Sequence, residues 1–156
     1  MVTKVHGTFA KWSGSLELDD EDPARSRVEV TIDAASIDTK EPQRDGHLRS
    51  PDFFDAEKYP HLTFKSTSVE RAGEGRYHVT GDLTIRGVTH PAKLEVEDGG
   101  RAKHPMTGDR RAGFSAHGSI KRSDFGLHWN AALETGGVLV SDKVEIDLEI
   151  QAFRSA

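Results

Sequence analysis

The chain has 156 residues, no cysteine, 35% hydrophobic and 30% charged content, and 21 basic against 26 acidic side chains for a net charge of −5. That length suits one domain spanning residues 1–156, because a chain of this size buries roughly 68–70% of its unfolded surface without covalent staples, and the lack of cysteine excludes disulfide scaffolds and thiolate metal sites. The two signs of charge are interleaved rather than gathered into a basic stripe, so neither nucleic acid nor an anionic membrane surface has an electrostatic footprint to meet.

At the N-terminus, Met1 to Phe9 already alternates like a strand and lacks the apolar stretch of roughly 7–15 residues that a secretory signal carries. As written the expectation is a cytoplasmic protein, or a periplasmic or secreted one if the true start lies upstream. The longest purely apolar run is of the kind Val138-Leu139-Val140, far short of the roughly 20 residues of a spanning helix, so no membrane insertion is expected.

Further along, apolar residues recur at spacing two, the pattern of strands with one wet face and one covered face. Val28, Val30 and Ile32 alternate with Glu29, Thr31 and Asp33. The region from Glu41 to Tyr59 interrupts the alternation with Pro42, Pro51 and two dense polar and aromatic clusters. It predicts an ordered crossover with one or two short helical turns, since a structureless loop of that length is unusual in a compact domain. Alternation resumes at Tyr77, Val79, Gly81, Leu83 and Ile85, then Val88, Ala92, Leu94 and Val96, then Ala112, Phe114, Ala116, Gly118 and Ile120, and finally Val144, Ile146, Leu148, Ile150 and Ala152. Glycine-bearing breaks such as Gly73-Glu74-Gly75, Arg86-Gly87 and Gly99-Gly100 separate the runs, which predicts an all-β antiparallel meander.

Open sheets leave pairing edges exposed, and a long meander removes them most economically by closing into a barrel. Ser66, Gly81, Ala92, Ala112, Ala116 and Gly118 then face inward. Small inward residues leave volume for an apolar ligand; the same glycines also suit kinks and bulges where strands coil.

Three polar groupings invite catalytic readings. Asp45 and His47 within Arg44-Asp45-Gly46-His47-Leu48-Arg49-Ser50 could form an oriented general base, although charge beside Pro51 and two Phe also suits a crossover pinned by Arg–carboxylate pairs and caps. Ser123, Asp124 and His128 are too closely spaced for the usual triad and lack a nucleophile elbow. The eight histidines include no i, i+4 helical pair and no HxH strand pair, so no metal site is expected without partners from distant strands.

Several blocks in order along the chain closely resemble the YceI-like family. They are Ser36-Ile37-Asp38-Thr39, Arg44 through Asp55, Tyr59-Pro60-His61-Leu62-Thr63-Phe64-Lys65-Ser66-Thr67, Val79 through Thr89, Ile120-Lys121-Arg122-Ser123-Asp124-Phe125-Gly126-Leu127 and Val140-Ser141-Asp142-Lys143-Val144. The resemblance implies an antiparallel lipocalin-like β-barrel of about eight strands, with a long apolar pore holding a polyisoprenoid chain such as an isoprenoid-quinone tail and with no catalytic residues. One departure stands out: family members begin with a further strand, about twenty residues before the position of His6-Gly7-Thr8-Phe9, and Met1 falls at the end of that segment. The expectation is a barrel with one strand fewer or a start codon placed late, the latter favoured because a deleted strand would leave unpaired ladders on both neighbours.

Strand alternation directs Phe64, Leu83, Phe114 and Ile146 toward the pore, and the resemblance adds Phe53, Phe54, Phe125, Trp129 and Leu139, with Arg44 or Arg49 as head-group contacts at the mouth. The same residues are also accounted for as core that touches no ligand. At about 0.8 kcal/mol per buried methylene, about three or four isoprene units would support micromolar binding after association costs. The expected function is sequestration or carriage of a long isoprenoid-type lipid in the pore, with no cofactor required beyond that lipid or quinone. The contrasting expectations are a small hydrolase or isomerase built on Asp45 and His47, and a ligand-free stress-response module. The expected partners are an apolar lipid and, through an exposed sheet edge, a second copy as a homodimer.

Overall fold

The computed structural model describes residues 5–103, 105–106, 108, 110–130 and 141–153. In chain order the elements are strands Thr8–Phe9 (β1), Trp12–Glu17 (β2), Arg27–Asp33 (β3) and Ile37–Asp38 (β4), then helix Pro42–Arg49 (α1). After it come His61–Gly73 (β5), Arg76–Ile85 (β6), Val88–Lys103 (β7), Arg110–Lys121 (β8) and Lys143–Phe153 (β9), with single turns of 3-10 helix at Pro23–Arg25, Ala34–Ser36 and Arg122–Phe125. Among the described residues β1 pairs with β4 alone, and the other seven strands form one sheet in the order β2-β3-β5-β6-β7-β8-β9 with every neighbour antiparallel.

An odd number of strictly antiparallel strands leaves β2 and β9 running the same way. Among the described residues they are the two edges and do not pair with each other. The sheet is nevertheless strongly curled into a half-barrel. Asp20, on the connection after β2, reaches Arg101 on β7 at 2.7 Å although β3, β5 and β6 lie between those strands in the sheet. Register shifts at Ser66/Ser68 and Arg71/Gly73 on β5 and at Asp98/Gly100 on β7 are bulges, and each adds right-handed twist where the sheet must coil. The connection of β6 to β7 is a two-residue turn in which Arg86 (φ 52°) and Gly87 (φ 74°) both take left-handed conformations, the type I′ geometry that matches strand twist.

The barrel has two unlike ends. At one, here called the capped end, the 41–59 crossover and the Arg122–Phe125 turn lie over the strands. Helix α1 starts where Glu41 accepts the N–H groups of Gln43 and Arg44 and Pro42 takes the first helical position, both standard starting signals. Its only buried residue is Asp45, so polar anchoring rather than an apolar face holds it. Phe54, Ala56, Phe125 and Leu127 pack onto Leu62, Phe64, Leu83 and Ile85 from the inner sheet face, with Phe125 only 1% exposed.

The small inward residues do not all leave room. A Cβ on Gly81 would come within 2.5 Å of both the Phe64 ring and the Lys65 carbonyl oxygen, and one on Gly118 within 2.7 Å of Leu94 Cδ2. Phe64 and Leu94 thus occupy the space the two glycines vacate, an aromatic and an aliphatic side chain covering a neighbouring strand's glycine. Ser66 spends its hydroxyl as acceptor for the Val28 N–H at 3.0 Å, standing in for a ladder partner where β3 and β5 part.

Candidate functional site

The sequence-expected pore residues fall into two groups. At the capped end, Phe53, Phe64, Leu83 and Phe125 are buried, and Phe54 is half-buried with its ring edge-on to Phe9 at 5.8 Å. Phe53 stands 5.3 Å from Trp129 between ring centroids, and the His47 ring meets both edge-on at 5.0 and 4.6 Å. Phe114, toward the other end, and Ile146, level with Gly118 on the edge strand, face inward but stay half-buried. Leu139 lies outside the described residues.

Buried Arg122 builds the Trp129 side of the aromatic group. Its guanidinium donates to the carbonyl oxygens of Ser141 (2.8 Å), Leu127 (2.8 Å) and Trp129 (2.9 Å), while Gly126 at φ 75° ends the preceding turn. Arginine's planar fork is suited to collecting several carbonyls at once. The family-like block pointed to this region, but nothing in local patterning distinguished Arg122 from its charged neighbours.

The groupings that invite catalytic readings do not assemble into a catalytic arrangement. The Asp45 carboxylate turns to Thr39, accepting its N–H at 2.9 Å and its hydroxyl. The His47 Nε2 instead faces Asp52 Oδ2 at 2.9 Å on the surface. Arg44 does not pair with a carboxylate: its Nε and Nη2 donate to the Thr39 hydroxyl and carbonyl at 2.8 Å each. Arg44 and Asp45 therefore converge on buried Thr39 and hold α1 to the segment after β4. Half-buried Arg49 has no side-chain hydrogen bond or ion pair among the described residues. Ser123 donates its hydroxyl and N–H to Asp142, the N–H foremost, and these hold the Asp142 carboxyl below its ordinary value of 3.8. Asp124 lies 3.9 Å from His90, so Ser123, Asp124 and His128 form no triad.

Where β7 and β8 part, a cleft of about 770 Å³ opens in the wall. Their ladder begins only at Leu94↔Gly118, and Pro91 has no N–H to contribute below it. The cleft, of a size within the range of small-molecule sites, reaches buried Phe125 and the His90 ring 5.9 Å from it, from an outer rim of Lys93, His117 and Lys121.

Strand register brings together residues that sequence reading left scattered. Across the outer face, Glu70 pairs with His78, His78 with Glu95, Glu95 with His117 and His117 with Asp147. His117 Nδ1 meets Asp147 Oδ1 at 2.7 Å, and that hydrogen bond, outweighing slight desolvation, raises the imidazole above its ordinary value of 6.5. Among the described residues no group of three or more His, Asp or Glu side chains has the geometry to hold a metal ion. No helix among them is long and apolar enough to cross a membrane.

With this geometry in hand, the whole-chain comparison is decisive: a family model for the YceI-like domain matches residues 1–152. The chain belongs to the YceI-like family. It is 50% identical over 121 residues to the UPF0312 protein plu2095 of Photorhabdus laumondii, covering 78% of this chain and 62% of that one. Protein YceI of Escherichia coli O157:H7 is 46% identical over 123 residues, covering 79% and 63%. The chain thus spans less than two thirds of the length of these YceI-like relatives, but the UPF0312 protein SERP2314 of Staphylococcus epidermidis, 40% identical over 147 residues, is matched over 83% of its length. Among solved structures, the YCEI protein of Campylobacter jejuni superposes with a TM-score of 0.87 at 35% identity, covering all of this chain and 88% of that one. Burkholderia cenocepacia BcnA gives 0.80 at 30% identity, covering 94% and 86%. Those YceI structures carry the antiparallel barrel that the alternation predicts.

Proposed function

We propose that this chain binds a long isoprenoid-type lipid, a polyprenyl chain or an isoprenoid-quinone tail, along the inner face of its curled sheet, and sequesters or carries it without chemistry. The observation that supports this most is the apolar stretch of the inner face between the cap and the Asp98–Arg101 end. Val30, Phe64, Val79, Leu83, Leu94, Val96, Phe114, Ala116, Ile146 and Leu148 follow one another across six strands at matched register, and those on β8 and β9 are largely half-exposed. Apolar surface that faces inward yet touches water gains about 25 cal/mol per Å² when covered, and a flexible hydrocarbon needs shape and apolar area more than polar contacts. Arg49, in the last turn of α1, is the cation proposed for a head group.

Organic extraction of the protein purified from its native host, followed by mass spectrometry, tests the proposal. A co-purifying prenyl lipid or quinone in near-stoichiometric amount is expected. Its absence, together with no uptake of a polyprenol by the extracted and refolded protein, would favour the ligand-free module instead. Loss of a turnover activity on replacing Asp45 and His47 with the fold intact would favour the enzyme.

A further inference from the structure

The end of the barrel opposite the cap is crossed by charge. Alternation along β7 from Ala92, Leu94 and Val96 places Asp98 inward and Arg101 outward. The bulge between Asp98 and Gly100 inserts one residue and reverses that parity, so Arg101 comes into register with inward-facing Ala112. The bulge is held by the Gly100 N–H donating to Asp98 Oδ1 at 2.8 Å and by a left-handed Gly100 (φ 98°). Inside, the Arg101 guanidinium lies 5.4 Å from the centroid of the Phe114 ring. It donates to Asp98 Oδ1 at 2.7 Å and, across the mouth, to Asp20 Oδ1 at 2.7 Å. Desolvation works against the charge, but hydrogen bonds to Asp98 and Asp20 outweigh it and raise the guanidinium above its ordinary value.

We infer that Arg101, bridged to Asp98 and Asp20, is a polar stop across this mouth that sets the length of hydrocarbon the inner face accepts. This rests on the lipid-binding reading above. An apolar chain advancing along β8 from the level of Gly118 toward that of Ala112 has about 20 Å of strand before it meets the guanidinium. To pass, it must displace two short charge-assisted hydrogen bonds and put methylenes against unpaired ions, which is costlier than stopping. Within the bridge one cation is shared by two carboxylates, so the bridge itself has no positive charge left for an anionic head group and acts as a barrier.

The test uses the full chain and a homologous series of straight-chain primary alkanols, titrated by displacement of an anilinonaphthalene dye. For the wild type, affinity is expected to rise about fourfold per added methylene and then to stop rising at the length that reaches Arg101. In Arg101→Met, which keeps an apolar stem over Phe114, the rise continues to longer chains. Asp20→Asn, at an exposed position, leaves β7 and its Asp98 pair intact and shifts the break in the same direction by less. A break at the same length in all three proteins overturns the stop while leaving lipid binding standing. Failure of every alkanol to displace the dye from the wild type overturns the lipid-binding reading and the stop together.

Discussion

Replacing Arg122 with alanine isolates the device that holds the Trp129 side of the aromatic group. Arg122 is 6% exposed and donates to the carbonyls of Ser141, Leu127 and Trp129. An orphaned buried carbonyl costs about 1–3 kcal/mol. Ser141 is exposed and Trp129 half-buried, so water recovers part of two of these bonds, whereas Leu127 is buried and its carbonyl stays dry. Adding the packing lost with the arginine stem, the total is about 3–5 kcal/mol. Against a domain stability of about 5–15 kcal/mol this is a large share, and at about 2–4 °C per kcal/mol for this size it lowers Tm by roughly 6–20 °C. Urea unfolding followed by circular dichroism measures the loss. Trp129 emission shifting to the red and faster amide exchange at Leu127 report where it occurs. Arg122→Lys keeps the charge but cannot span three carbonyls, so it should recover only part of the stability. A loss below about 1 kcal/mol, with Trp129 emission unchanged, would refute the assignment.

Three other substitutions separate packing, anchoring and charge. Gly81→Ala drives a Cβ into the Phe64 ring and the Lys65 carbonyl and should cost about 1–3 kcal/mol; a variant as stable as wild type in thermal melts would mean that the two strands have slack. Asp45→Ala removes the acceptor for the Thr39 N–H and hydroxyl and should destabilise by about 2 kcal/mol, whereas His47→Ala, whose Asp52 pair is at the surface, should stay within about 1 kcal/mol; equal losses in chemical denaturation would contradict the different roles given to them. His117 has a folded-state pKa raised by Asp147, so its contribution to stability is full below the ordinary value of 6.5 and fades as pH rises through the raised value. An NMR titration should find that raised value in the wild type and its return toward the ordinary one in Asp147→Asn; no change between the two would remove Asp147 as the cause.

The strands were legible because each has one wet face. The Glu145, Asp147 and Glu149 positions alternate with Ile146, Leu148 and Ile150 with no interruption, and the structure pairs that run with β8 residue for residue. The crossover was legible from its prolines, and Pro42 starts α1. What escaped was decided by neighbours far away in sequence. Gly81 reads as free volume until the register brings Phe64 over it. Asp45 reads as a partner for His47 because they are two residues apart, but on a helix that spacing points them to different sides, and Asp45 finds Thr39 instead. The row from Glu70 to Asp147 has no signature in any one strand and exists only through four pairings.

Arg101 combines both lessons and bears on how the inner face is divided. A bulge changes strand parity, so a residue on the outer side by sequence arrives on the inner side, and only the pairing of Arg101 with Ala112 reveals it. The buried apolar cluster, Leu62, Phe64, Leu83, Ile85, Phe125 and Leu127, lies at the capped end, where Phe64 and Leu94 fill the space beside Gly81 and Gly118. Phe114, Ile146, Leu148 and Ile150, nearer the charged mouth or on the edge strand, remain half-exposed. Full burial of such side chains is worth about 1.5–3 kcal/mol each, so the unrealised hydrophobic stabilisation is concentrated between the filled cap and the Arg101 bridge. On the lipid-binding proposal, a guest that covered this stretch would gain most of its affinity there, so its length rather than the chemistry of the capped end would dominate the measured affinity.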